Sequence, residues 1–384
     1  MIPEDGDNNC PCSSVDRAPA SGAGCTGSSP VRGTTVRSMK SFYSPLSLSP
    51  QVYLSGRDLR EKVSFYLSSK GSSFLFIGER EILSLLKPFL EKVEGKFVFF
   101  RGENCWEEVE RIISVREKEE CVVGIGGGKA LDCAKLVSKE LQLPLVTIPT
   151  SAATCSAFSS ISALYDREGR YLKTLETGNS PSLTLVDFSL IGKAPPRLLA
   201  SGMADSLAKW YEGKLTVKED LRGKIALKLS SLIREIIFGI GIQAMEDSGK
   251  GKITPELEKI IETNILLTGI VQGLGGKSFR SNAAHALNYA LTHFPSSLPF
   301  LHGERVGVGI LFLLHILGEE EEISRLSKFY SRLSLPRSLR DLGVKEKDLP
   351  RLEREILKEG SGIYRLPFQI KENQIREALK RVYL

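Results

Sequence analysis

The segment from Cys121 to Lys135 (CVVGIGGGKALDCAK) constrains this chain more than any other. Val122 to Ile125 is a short apolar run that reads as a buried parallel strand. From Ala130 the spacing becomes helical, with Leu131, Ala134, Leu136 and Val137 apolar. Gly126, Gly127 and Gly128 occupy the join. Lacking Cβ atoms, they let backbone N–H groups approach a ligand closely, and a helix N-terminus adds partial positive charge. Those are the requirements for holding a pyrophosphate. Gly124 and Gly126 begin like the dinucleotide fingerprint, but Lys129 stands at its third glycine, and no Gly-Lys-Ser/Thr closes a P-loop. A tight strand-to-helix turn without ligand remains open on this segment alone.

From Met39 to about Pro195, apolar runs alternate with amphipathic stretches. The runs are 74–77, 98–100, 122–125, 145–148 and 183–186; the stretches are 57–67, 81–93, 106–115 and 131–141. This alternation predicts an α/β fold with a doubly wound parallel sheet, whose ligands lie beyond the carboxyl ends of the strands. Gly78-Glu79, Gly126 to Lys129 and Thr147 to Thr154 fall at such ends. Beyond Pro195 the spacing is helical throughout, over 198–211, 225–242, 255–271, 283–292, 306–317 and 320–333. The expected domains are therefore a dinucleotide-binding α/β domain over 39–195 and an all-helical domain over 196–384, to which the candidate metal ligands described below belong.

Residues 1–38 are mostly small and polar and cannot bury enough surface to offset ordering entropy. They are expected to be a disordered tail, or a spurious one. From Cys12 to Gly33 they resemble the conceptual translation of a transfer-RNA gene, which would make Met39 the true start. The net charge of +6 is spread along the chain, giving little support to nucleic-acid binding. No apolar run approaches a membrane span, and no segment reads as a signal peptide. The seven cysteines form no CxxC and no paired framework, so reduced thiols in a cytoplasmic protein are expected. The expected partners are a small-molecule substrate and further copies of the chain.

The candidate chemistry lies in the second half. The four histidines are His285, His293, His302 and His315. Asp205 stands in GMADSLAKWYE, near an expected helix start; His285 in NAAHALN; His302 in LHGERV, at a turn into a helix. One carboxylate and two imidazoles can form a catalytic zinc set with one position open. Taken singly, they can equally be an N-cap aspartate and two hydrogen-bonded histidines. His315 reads as a satisfied core histidine.

The order GGGK, IPTSAATC (148–155), GMADSLAKWYE, NAAHALNYALT and LHGERVGVG resembles the metal-dependent (iron-containing) alcohol dehydrogenase superfamily, most of all its glycerol dehydrogenase branch. The resemblance runs from about Met39 to Leu384. It implies a Rossmann-like domain, a helical domain and an active site in the cleft between them. By motif it makes Asp205, His285 and His302 the metal ligands and catalytic centre. It makes Gly126, Gly127, Gly128 and Lys129 the pyrophosphate cradle and sets Glu79 on the adenosine ribose. Asp132, Thr150, Ser159, Ile161 and Tyr165 match the remaining cofactor contacts. NAD is expected, with NADP open because Arg80 follows Glu79.

Two departures refine this. Many iron-dependent relatives carry a histidine four residues after the aspartate. Lys209 stands there, which implies three ligands and favours Zn2+ over Fe2+. Glycerol dehydrogenases have an aspartate where this chain has Cys155, and the wording around it is closer to hydroxycarboxylate dehydrogenases. The expected substrate is a small 2-hydroxy acid, 2-oxo acid or related alcohol. Cys155 would line its pocket, and Arg280, or Lys277 or Arg305, would pair its carboxylate. Glycerol oxidation is the alternative. A dehydroquinate synthase-like lyase is less favoured, since that family has a glutamate at the position of Asp205.

Overall fold

The computed structural model describes residues 48–384, so the expectations for the tail lie outside the described residues. The sequence alternation becomes a six-stranded, wholly parallel sheet. Strand β1 is Tyr53–Gly56, β2 Ser73–Gly78, β3 Glu94–Phe99, β4 Cys121–Gly126 and β5 Leu145–Pro149. After an antiparallel hairpin, β6 (Ile161–Tyr165) with β7 (Tyr171–Glu176), the chain returns to the sheet as β8, Leu183–Asp187. The order across the sheet is β3-β2-β4-β5-β8-β1. Strands β2, β4, β5 and β8 are buried at every residue, as unbroken Val/Ile/Leu/Phe runs covered on both faces must be.

Helices α1 (Val63–Leu67), α2 (Arg80–Leu90), α3 (Trp106–Ser114) and α4 (Gly128–Leu141) connect the strands. From β2 the chain moves outward to β3, then returns to place β4 on the other side of β2. The connections that leave β2 and β4 therefore diverge, and a crevice opens between their carboxyl ends. Glu79 follows β2 and the glycine run ends β4, so the fold brings both to that crevice.

After the short α5 (Phe188–Ile191) every further element is helical. The sequence contains α6 (Pro196–Thr216), α7 (Leu221–Gly249), α8 (Pro255–Glu262), α9 (Thr268–Gly275), α10 (Ala283–Leu291), α11 (His302–Leu317), α12 (Glu320–Arg332), α13 (Leu349–Ile356) and α14 (Glu372–Tyr383). One large apolar cluster joins these helices, and two smaller clusters cover the faces of the sheet. Among the described residues no helix is long and apolar enough to cross a membrane.

The structure differs from the sequence expectations in four places. Strand β1 and the hairpin were not expected: β1 is a four-residue edge strand, and β7 (YLKTLE) carries little apolar signal. The helix expected over 255–271 is interrupted by a π-turn, Thr263–Leu267. The extra residue seats the Asn264 amide, which donates to Ala152 O at 3.0 Å and Leu199 O at 3.2 Å. Asp205 lies inside α6 and not near its start, because Pro196 at the first helical position begins the helix earlier. The N-cap reading of Asp205 is thereby excluded. Finally, His315 is half-buried, but its Nδ1 finds no hydrogen-bond partner, contrary to a satisfied core histidine.

Close helix packing positions the site. A Cβ on Gly202 would lie 1.9 Å from Ala152 O, and one on Gly303 would lie 1.8 Å from Ser201 O. Only glycine lets α6 approach the loop after β5 and lets α11 approach α6. Gly202→Ala and Gly303→Ala should each lower stability by about 1–3 kcal/mol through overpacking. Urea unfolding checks this; unchanged midpoints would contradict such close packing.

Candidate active site

One cleft of about 1250 Å³ runs between the carboxyl ends of the strands and the helices beyond α5. It exceeds the roughly 300–1,000 Å³ of a usual small-molecule pocket and has room for an extended cofactor beside a small substrate. Glu79, Gly127, Gly128, Lys129, Asp132, Thr150, Cys155, Ser159, Ile161, Tyr165, Asp205, Arg280, His285 and His302 all line it. Of the residues expected to hold the metal, the cofactor or the substrate, Gly126 lies behind the lining, and Arg80 is not part of it either.

Gly126 has φ +147°, and a Cβ there would lie 2.3 Å from Glu79 Oε2. Gly127 faces open space, with nothing within 4 Å of a Cβ position. Gly128 begins α4, so the open space lies against a helix N-terminus. Beside it, Glu79 Oε2 is buried without a hydrogen-bond partner, and burial pushes the carboxyl pKa up. An unpartnered buried carboxylate oxygen is costly unless a ligand satisfies it. An open glycine turn and an orphaned acceptor beside it fit a phosphate-linked ribose.

The other residues of this end are already engaged within the protein. Lys129 Nζ is 2.6 Å from Glu103 Oε2 and lies over the Tyr165 ring. Asp132 accepts hydrogen bonds from Lys135 Nζ at 2.8 Å, Ser156 Oγ at 2.5 Å and Ala163 N at 3.0 Å. Lys135, wholly buried, also donates to Ser159 Oγ and to Ile161 O. This network ties α4 to the loop after β5 and to the start of β6. Thr150 lies at the end of β5, and the Tyr165 side chain is buried at the cleft wall.

Deeper in the cleft, Asp205 from α6, His285 from α10 and His302 from α11 converge. Their ligand atoms all lie within 4.8 Å of one another. Both Nε2 atoms stand 3.5 Å from Asp205 Oδ1, which is buried and accepts no hydrogen bond. Glu212 Oε2 accepts from His285 Nδ1 at 2.7 Å, which leaves the Nε2 lone pair facing the site. His302 Nδ1 lies 3.3 Å from Asn288 Nδ2, and its Nε2 also turns inward. Burial alone would raise the Asp205 pKa, but the Lys209 ammonium and the two imidazoles hold it well below the usual range. Burial pushes His302 toward its neutral form, whereas in His285 the pull of Glu212 and Asp205 outweighs burial. A charged carboxylate oxygen without a partner, faced by two ring nitrogens, is a donor set suited to a divalent metal with an open position.

Two supporting residues escaped the sequence reading. Glu212 lies seven residues after Asp205, and Asn288 three after His285, so each shares a helix face with one triad residue while its side chain supports the ring of another on the neighbouring helix. That spacing was the available signal. Arg305 donates from Nε to Asn288 Oδ1 on α10 and from Nη1 to Ser297 O and Phe300 O, which holds the turn before α11. Arg280 pairs with Glu176 at 2.7 Å. His293 is 4.0 Å from Glu355 and remains apart from the triad.

Comparison with known proteins agrees with this architecture. The family model for iron-containing alcohol dehydrogenase matches residues 50–188. Glycerol dehydrogenase of Escherichia coli O6:H1 is 31% identical over 86% of this chain and 94% of its own. Hydroxycarboxylate dehydrogenase A of Escherichia coli K12 is 31% identical over 77% of this chain and 84% of its own. The crystal structure of glycerol dehydrogenase from Schizosaccharomyces pombe superposes with a TM-score of 0.77 at 25% identity, covering 87% of this chain and 89% of that one. With the parallel sheet, the glycine turn and the helical half all matched over most of its length, the chain belongs to the iron-containing alcohol dehydrogenase family of oxidoreductases.

Proposed function

We propose that this cleft interconverts a small 2-oxo acid and its 2-hydroxy acid, using NAD and a divalent metal, zinc in preference to iron. Asp205, His285 and His302 would hold the metal, and Glu79 with the Gly126–Gly128 turn would hold the cofactor. The metal supplies positive charge that polarises a substrate oxygen, and the nicotinamide supplies the hydride chemistry. The protein's part is position. Glu212 fixes the His285 ring, and the Lys135–Asp132 network fixes the wall along which the cofactor would lie. The buried, unpaired thiols Cys105, Cys121, Cys133 and Cys155 suit a reducing, cytoplasmic setting.

The observation that carries the choice of substrate is Cys155. Its side chain is buried beside the triad, with Sγ 3.6 Å from Gln272 Oε1, and burial pushes the thiol pKa up to about 11. The wall is therefore uncharged where a polyol would want a strong acceptor. A hydrogen bond to a charged group contributes about 1.5–3 kcal/mol, which a glycerol hydroxyl would forgo here. A substrate carboxylate, by contrast, meets no like charge at Cys155, and the same cleft is lined by cations, Arg280 among them although it is paired with Glu176. Cys155→Asp should shift the ratio of kcat/KM values toward glycerol and away from 2-oxobutanoate, on the order of tenfold or more. An unshifted ratio would remove Cys155 from substrate choice. Glycerol oxidation is the second reading, favoured by the glycerol dehydrogenase relatives.

The orphaned Glu79 oxygen favours NAD, whose ribose hydroxyls can donate to it, over a 2′-phosphate that it would repel. Arg80 lies over the Phe99 ring, 4.0 Å from its centroid. Glu79→Gln should weaken NADH binding about 10–100-fold, from the roughly 1.5–3 kcal/mol of a hydrogen bond to a charged group, as read by nicotinamide fluorescence. A strong preference for NADPH that Arg80→Ala reverses would contradict this assignment.

A further inference from the structure

Lys209 is a charged group beside the triad that neither the metal set nor the cofactor cradle uses. It rises from the same face of α6 as Asp205, and its side chain is only 1% exposed. Its Nζ lies 3.8 Å from Asp205 Oδ1, an ion pair too long to be a hydrogen bond. Its other acidic neighbour on that face, Glu212, already accepts from His285 Nδ1 at 2.7 Å, His285 N at 3.1 Å and Asn282 N at 3.2 Å. Among the described residues, no side chain or carbonyl accepts a hydrogen bond from Nζ. An ammonium has three donors, and here they are not taken up by the protein. Lys209 lines the cleft, together with Cys155, Gln272 and the triad.

We propose that Lys209 anchors the carboxylate of a 2-oxo or 2-hydroxy acid while the substrate's 2-oxygen points at the Asp205–His285–His302 triad. This rests on the functional reading above and names the residue that selects the acid. In such a substrate the carboxylate is one bond from the carbon bearing the 2-oxygen. Lys209 Nζ, 3.8 Å from Asp205 Oδ1, is close enough to the triad for one small substrate to reach both. The Cys155 thiol in the same lining carries no charge, and Glu212 is engaged by His285 and Asn282. The carboxylate would therefore meet a positive charge and the hydrogen-bond donors that Nζ has free, with the charge of Asp205 balanced by the metal it would hold. Arg280, by comparison, is already paired with Glu176. The competing account is that Lys209 only balances the charge of Asp205.

The two accounts separate on a matched pair of substrates, 2-oxobutanoate and 1-hydroxybutan-2-one. They share a skeleton and differ in carrying a carboxylate or a hydroxymethyl group at C1. Both are assayed on the zinc-loaded protein with NADH, for the unmodified chain, Lys209→Met and Lys209→Gln. Met retains the apolar stem that packs along α6, and Gln keeps a polar head toward Asp205. If Lys209 anchors the carboxylate, the ratio of kcat/KM for 2-oxobutanoate over 1-hydroxybutan-2-one should fall on the order of 100-fold in both variants. The affinity for oxamate, measured by calorimetry on the same protein with NADH, should fall by a similar factor. Loss of zinc alone would lower both rates together and leave the ratio unmoved. If the unmodified protein reduces 2-oxobutanoate but the ratio and the oxamate affinity are unchanged in the variants, the anchor is overturned while the acid reading stands. If the unmodified protein reduces no 2-oxo acid, both are overturned.

Discussion

His285→Ala should strip the bound metal and lower turnover on the order of 10³-fold, since the metal contributes several kcal/mol of charge stabilisation at about 1.4 kcal/mol per tenfold. The fold should survive. His285 lies on α10 at the cleft, and the apolar cluster that joins the helices passes around it through Ala283, Ala284, Leu287 and Leu291. Metal analysis should then find zinc near one per chain in the unmodified protein and little in the variant, with similar melting temperatures. Glu212→Gln tests the support of the same ring. It removes the charged acceptor at 2.7 Å from His285 Nδ1, and such partners typically account for 10–100-fold in metal affinity. Full zinc content in His285→Ala would remove the triad from metal binding.

Gly126→Ala should have the largest effect at the cofactor end. The added Cβ would fall 2.3 Å from Glu79 Oε2, in a backbone conformation, φ +147°, that only glycine adopts readily. Either Glu79 swings away or the β4–α4 turn shifts, and both outcomes move the cradle. Misplacement by about 1 Å can cost 10²-fold in rate, so kcat/KM for NADH should fall on that order. Zinc content should not change, because none of the triad lies on β4 or α4. Gly127→Ala is the informative contrast. Its Cβ would meet nothing in the protein, so any loss there measures contact with the cofactor itself. Equal NADH kinetics in Gly126→Ala and the unmodified chain would contradict the cradle.

The sequence made the sheet legible because four of its strands are buried on both faces and are therefore written as unbroken apolar runs. The glycine turn was legible because only glycine meets its geometry. Strand β7 was not: YLKTLE is largely exposed and pairs only with β6, so it carries little burial signal. The π-turn was equally silent, since what demands it is a tertiary contact, Asn264 reaching Ala152 and Leu199. At the site, residue types and motif order pointed to Asp205, His285 and His302, and the fold brings them within 4.8 Å. Glu212, Asn288 and the unsatisfied head of Lys209 needed the coordinates. Each lies on a helix face whose partner is known only once α6, α10 and α11 have packed together.

The most direct measurement of the central claim is nicotinamide absorbance with the zinc-loaded, unmodified protein offered NADH and 2-oxobutanoate, and separately NAD and glycerol. The expected result is steady NADH consumption with 2-oxobutanoate, abolished by a chelator and restored by zinc, and weak or absent glycerol oxidation. Brisk turnover of glycerol with no reduction of any 2-oxo acid, or full activity in a metal-free preparation, would contradict it.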